Sequence, residues 1–327
     1  MTRLADWFTT FRHLILRGSV YLAILECSVC VSSRTECCAE DVSNQHIEIA
    51  IQTFAAIQNY EVIVTEWEAF FPKLVEDREK VPSGEKNTVY RMLLDRKSSE
   101  CLIVKRILLD VDESSMKQKG LVRNLPIAWS LDSYRNGVAT SRLPRAGQFT
   151  TEKFKFDEFF TMKGVPAVEF AGLFYPPVLR KGLQTVLDDK RKLSKKGGIK
   201  QLPDGTVSLY CSPNPDVDYV EKTLFDRRTL MPTEFSTSAP YEGTKLTEKY
   251  VTAFEEINGI FRPTRIDFEK IEWQLPRNSK NGVPLDAIGK VTIEWLQFNE
   301  PELVFPKDED LGFDPLKWAQ FLRIIDK

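Results

Sequence analysis

Histidine is the first scarcity. The 327-residue chain has two, His13 and His46. A Ser-His-Asp or Cys-His nucleophile needs an imidazole beside it, and a histidine-based zinc site needs several. Neither chemistry has its parts here. Glycine-rich phosphate loops are also missing, because Lys196-Gly197-Gly198 reads as a turn rather than a cradle behind a strand. Charge of one sign is not in excess: 45 Lys+Arg stand against 47 Asp+Glu, a formal net charge of −2. Without a basic stripe no nucleic acid is expected as a partner. The one basic run, Lys190-Arg191-Lys192 with Lys195-Lys196, is offset by Asp188-Asp189 and reads as a solvated helix end. Asp216-Val217-Asp218 and Asp308-Glu309-Asp310 lack the ordered oxygen ligands of a calcium loop. No metal and no cofactor is expected.

The first forty residues differ from the rest of the chain. Arg12 and Arg17 precede the apolar stretch Ser19–Leu25, and a small residue stands at Ala39. That is the layout of an export signal, so residues 1–39 are predicted to be a signal peptide and the mature chain to start at Glu40. Glu26 interrupts the run, which argues against a spanning helix of about 20 apolar residues. An uncleaved anchor and a buried helix remain as alternatives. The chain has six cysteines. Cys27, Cys30, Cys37 and Cys38 would leave with the signal, and the pairing of Cys101 with Cys211 is left open.

What the chain does have is short alternating strands and turn signals. Asp41–Tyr60 carries Ile47, Ile51, Phe54 and Ile57 at helical spacing and wants a sheet face to lie on. Strands follow at 61–71, 88–95, 100–111, 127–134, 138–143, 206–211, 219–226, 232–236, 246–257, 260–273 and 290–299. Asn136-Gly137 and Asn258-Gly259 are hairpin turns, because both residues tolerate positive φ. A helical insertion is read around 144–200, and Asp314-Pro315 starts a tail helix packing Leu316, Phe321 and Ile324. With no internal repeat and no linker, residues 40–327 read as a single domain. The expected fold is mainly β (α+β). Its core would be a strongly curved antiparallel sheet of roughly 10–11 strands, with an N-terminal helix, a helical insertion and a C-terminal helix.

Two sets of side chains could carry chemistry. Strand carboxylates (Glu66, Glu68, Glu255, Glu256, Glu272, Glu294) could pair for glycoside hydrolysis without any histidine. Strand acids alternating with apolar residues ordinarily form a solvent face, however. Aromatic and apolar residues spread over many strands are the stronger signal: Trp67, Trp129, Leu131, Phe225, Tyr250, Phe254, Phe268 and Trp295. Each alone reads as core. Together, on a bent sheet, they would line an apolar trough able to bind a ligand.

The order of elements then resembles a known group. A signal, a helix leading into a strand with Trp67, and successive hairpins are similar to the periplasmic lipoprotein-carrier (LolA/LolB-like) superfamily. So are Tyr250 to Ile266, with its Asn258-Gly259-Ile260 turn and Pro263, and Phe225-Asp226-Arg227 ahead of Pro232. The resemblance covers residue 40 to about 301, and it implies an incomplete barrel closed by helices around an apolar cavity for acyl chains. It thereby implies an exported, non-enzymatic binding protein of the periplasm or cell envelope. Its partner would be a lipid or acylated protein, with transient membrane contact. The chain departs from the group in its 144–200 insertion and its tail, and no arginine matches the carrier's lid-locking role. A carboxylate-dependent secreted hydrolase and a cell-envelope structural protein with a filled cavity stand as the alternatives.

Overall fold

A computed structural model describes residues 45–72, 84–111, 127–143, 148–163, 167–173, 183–194, 198–211, 220–241, 244–273 and 285–324. The signal-like segment, its four cysteines and the first helix's capping residues lie outside this set.

Among the described residues thirteen strands form one antiparallel sheet. They are β1 (Asn59–Pro72), β2 (Gly84–Asp95), β3 (Glu100–Val111), β4 (Ile127–Arg135), β5 (Val138–Leu143), β6 (Gln148–Lys153) and β7 (Gly198–Gln201). Next come β8 (Val207–Cys211), β9 (Val220–Phe225), β10 (Pro232–Tyr241), β11 (Thr244–Ile257), β12 (Ile260–Trp273) and β13 (Leu285–Phe298). Their spatial order is β6-β5-β4-β3-β2-β1-β13-β12-β11-β10-β9-β8-β7. Every neighbour is therefore a sequence neighbour except at one seam, where β1 pairs with β13 from Tyr60↔Phe298 to Pro72↔Leu285. The sheet's free edges are the consecutive strands β6 and β7. This is an up-and-down barrel opened in mid-chain, the incomplete barrel that the family resemblance implies.

Local chemistry explains the hairpins. Asn136 and Gly137 have φ of 52° and 77°, and Asn258 and Gly259 have 53° and 76°, the double positive φ of a type I′ turn. The two strands beyond the expected count are the edges themselves, β6 (QFTTEK) and β7 (GIKQ). Both are short and lack a clear apolar alternation, as edge strands tend to be.

The first helix, residues 45–55, lies against the inner face of the sheet and buries Ile47, Ile51 and Phe54. Each such side chain contributes about 1.5–3 kcal/mol. It ends five residues before the expected boundary, and Asn299 ties that end to the seam. The Asn299 side chain accepts from the Gln58 amide (2.8 Å) and donates to the Ala56 carbonyl (2.8 Å). Helices Phe156–Lys163 and Leu183–Ser194, with a 3₁₀ turn at Val168–Phe170, occupy the insertion between the two free edges. One apolar cluster joins the first helix, Phe159, Phe160, Phe170 and Leu187 to inner-face residues from β1–β5 and β8–β13. The sheet thus curves around a helical plug.

A second apolar cluster sits on the opposite, outer face, where Leu93, Leu102, Val104 and Leu131 meet the tail. The tail helix Pro315–Phe321 is capped by Asp314, whose side chain accepts from the Leu316 amide (2.9 Å). Its buried residue is Trp318, whereas Leu316, expected to pack, is 72% exposed. Phe321 and Ile324 do pack against this cluster. Arg91 fastens the tail to the sheet. It donates to Glu61 (2.6 Å) and to the Phe321 carbonyl (2.7 Å), and lies over the Phe321 ring.

Candidate functional site

The inner face has two zones. Near the Asn59 end of β1 it is apolar and closed by the plug. The inner apolar cluster brings together Phe225, Tyr250, Phe254, Phe268 and Trp295, with Tyr250 and Phe268 in register with Gly289 and Glu68 at the margin of the charged zone. Phe254 stacks on Phe54 of the helix with ring centres 6.0 Å apart, and Tyr250 lies between Phe235 (6.4 Å) and Phe268 (5.9 Å). Trp295 meets Tyr60 edge-on at 5.3 Å and donates to the Pro263 carbonyl (2.7 Å). Gly289 lies directly across from Phe268. A Cβ there would collide with the Phe268 ring and the Trp67 carbonyl, so the absence of a side chain lets the ring lie flat on β13.

The other three residues expected at the trough lie elsewhere. Trp129 and Leu131 belong to the outer cluster under the tail. Trp67 alternates with inward-facing Val64, Glu66 and Glu68, so it points outward, and it donates to Glu85 (3.0 Å). Residue type marks all eight as apolar. Only the register of each strand says which face it serves.

A buried polar knot pins the plug to the sheet. Glu169, in the 3₁₀ turn, is fully buried. It accepts from the Tyr60 hydroxyl (2.7 Å) and is ion-paired with Arg96, beside the β2–β3 turn. Arg96 also lies over the rings of Phe160 and Phe170. Burial and the neighbouring Glu169 charge push the Tyr60 hydroxyl well above its ordinary pKa. Burial opposes the charge on Arg96, but Glu169 outweighs it and raises the guanidinium pKa.

Beyond the plug the inner face is charged. Lys86 lies 3.5 Å from both Glu66 and Glu68, and Lys270 lies 3.3 Å from Glu68. Glu68 is buried. Lys105 follows on β3 and Asp132 on β4, where Ser141 donates to the Asp132 carboxylate. Burial raises the Asp132 pKa against that hydrogen bond, and burial lowers the Lys105 pKa against the attraction of Glu66. The hydroxyls of Thr88 and Thr252 are buried on this face with no hydrogen-bond partner among the described residues. Sequence reading missed this zone because charges alternating with apolar residues look like a solvent face. Glu66 and Glu68 instead point inward. Each lies within ion-pair distance of at least one ammonium group.

Cys101 is a free, fully buried thiol whose pKa burial pushes up; the Cys211 side chain lies outside the described residues. Among the described residues no cluster of histidine, cysteine and carboxylate side chains could hold a metal ion, and no helix is long and apolar enough to cross a membrane.

The fold is an open, helix-plugged antiparallel barrel. No protein-family model matches the chain, and no curated protein matches it by sequence. Among solved structures it is similar to a putative outer membrane lipoprotein-sorting protein domain from Vibrio parahaemolyticus. The identity is 10% and the TM-score 0.39, over 84% of this chain and 99% of that one. It is also similar to a DUF1329 family protein from Desulfovibrio piger, at 11% identity and TM-score 0.33, over 83% and 96% of the two chains. Lipovitellin gives 9% identity and TM-score 0.28, over 77% of this chain and 26% of that one.

Proposed function

We propose that this chain is an exported, non-enzymatic binding protein that holds a lipid or another apolar ligand on the inner face of its open barrel. The observation that carries the reading is the pair of buried hydroxyls of Thr88 and Thr252 on that face. Buried polar atoms in folded proteins are almost always paired. Two left over on one face, Thr88 on β2 and Thr252 on β11, favour a face that completes its hydrogen bonds with a guest. Desolvating acyl CH₂ groups would supply about 0.8 kcal/mol each. Because β6 and β7 are not paired with each other, entry between them would need no strand to separate, and the export layout of residues 1–39 agrees with an envelope location.

The test is native mass spectrometry on protein purified from a bacterial envelope, followed by titration of the delipidated protein with an acyl probe. A co-purifying lipid at one per chain, or saturable probe uptake weakened by Phe268→Asp in a folded variant, supports the reading. A protein that carries nothing and takes up no probe overturns it. It would then stand as a structural protein with a filled interior.

A further inference from the structure

The inner face shares out its charges unevenly. Glu66 and Glu68 are committed to Lys86, and Glu68 also to Lys270. Lys163 is taken by Glu152 at 3.3 Å. Asp132 accepts from Ser141 and Ser130. Lys105 stands among these groups, half-buried. Its electrostatic neighbours are Glu66, Lys86 and Asp132, yet among the described residues no hydrogen bond or ion pair reaches its ammonium. Register places Thr88 one step along the diagonal from it, since Tyr90 faces Lys105 and Thr88 faces Ile107. Diagonal neighbours on one sheet face lie within reach of a long side chain. The Thr88 hydroxyl is the buried, unpartnered one already described. A half-desolvated ammonium beside an unused hydroxyl has two donors and lacks an acceptor.

We propose that Lys105 and Thr88 form an oxyanion subsite that takes the carboxylate or phosphate head of an amphipathic ligand, whose tail lies on the inner-face aromatics. The subsite deepens the binding reading and rests on it. One charged head close to Lys105 would supply the missing acceptor and favour the protonated amine, reversing the effect of burial. The apolar tail supplies affinity, and the head sets orientation and selects the ligand class.

The test is calorimetric titration of delipidated protein with oleate, its uncharged methyl ester, and oleoyl lysophosphatidate. In the wild type at least one of the two anions should bind about ten-fold tighter than the ester, the scale of one charge-assisted hydrogen bond. Which anion is preferred separates a carboxylate from a phosphate head. Lys105→Met should abolish the preference without weakening the ester, and Lys105→Arg should keep most of it. Thr88→Val should reduce it in part, which gives a second reading should Lys105→Met not fold. Equal binding of anions and ester by the wild type, or a preference that survives Lys105→Met, overturns the subsite and leaves the binding reading intact. Binding of none of the three overturns both.

Discussion

At the residue scale the molecule rests on a few buried polar groups whose partners can be named. Glu169 is fully buried between Tyr60 and Arg96. Glu169→Ala should therefore cost about 3–5 kcal/mol in urea unfolding, because it strands the Arg96 charge. Tyr60→Phe should cost less, about 1.5–3 kcal/mol for one hydrogen bond to a charged group. Asp132 gives a pH test. Its pKa is raised in the fold by burial, so the folded state holds that proton more tightly than the unfolded chain does. The resulting stability is complete below the ordinary carboxylate pKa and is lost as pH rises through the raised value. Asp132→Asn should thus raise the melting temperature at pH 7 and leave it unchanged near pH 3. Equal shifts at both pH values would show that the ionisation carries no cost. None of these pairs is legible in the sequence, since Tyr60 and Glu169 are 109 residues apart and no local pattern marks them as neighbours.

At the element scale, what the sequence disclosed was what local physics decides. Both Asn-Gly hairpins, the first helix's apolar stripe and the Asp314 cap are set within a few residues of themselves, and each forms as expected. What it hid was set by distant packing. The helical insertion could be seen as an interruption of strands, but not that it bridges the two free edges. Trp129 and Leu131 look like trough residues until the tail covers them on the other face. Glu66 and Glu68 look like a solvent face until curvature turns them inward. The tail is the element most open to a direct test. Trp318 is fully buried in the outer cluster and donates to the Leu311 carbonyl (3.1 Å). Trp318→Ala should destabilise the protein by about 3–5 kcal/mol, measured by chemical denaturation. Leu316→Ala, at an exposed position, should change stability by less than about 0.5 kcal/mol. Similar losses from both would mean that the tail is held differently. Gly289→Ala belongs with the severe cases, because its added methyl would meet the Phe268 ring and a backbone oxygen.

At the scale of the whole molecule, the sheet has a strong centre and weak margins. The long strands β1, β2, β11, β12 and β13 lie in or near its middle, and the short strands β6 and β7 lie at its rims. Amide hydrogen exchange should be slowest across the β1–β13 seam and fastest at 148–153 and 198–201. Uniform protection would mean that the gap is closed in solution. The seam has a further consequence for how the chain is made. Every pairing except one joins strands that follow each other in synthesis, so two meanders, β1–β6 and β7–β13, can zip up from their own hairpins as they leave the ribosome. The exception is the pairing that unites them. β1 is among the first strands to emerge, yet its second partner is complete only at Phe298. Until then the strand that ends up near the middle of the sheet is an exposed edge, and the first helix has only half of its groove. A nascent chain stalled before residue 285 would therefore carry a 14-residue strand paired with β2 on one side and open on the other to any edge it meets.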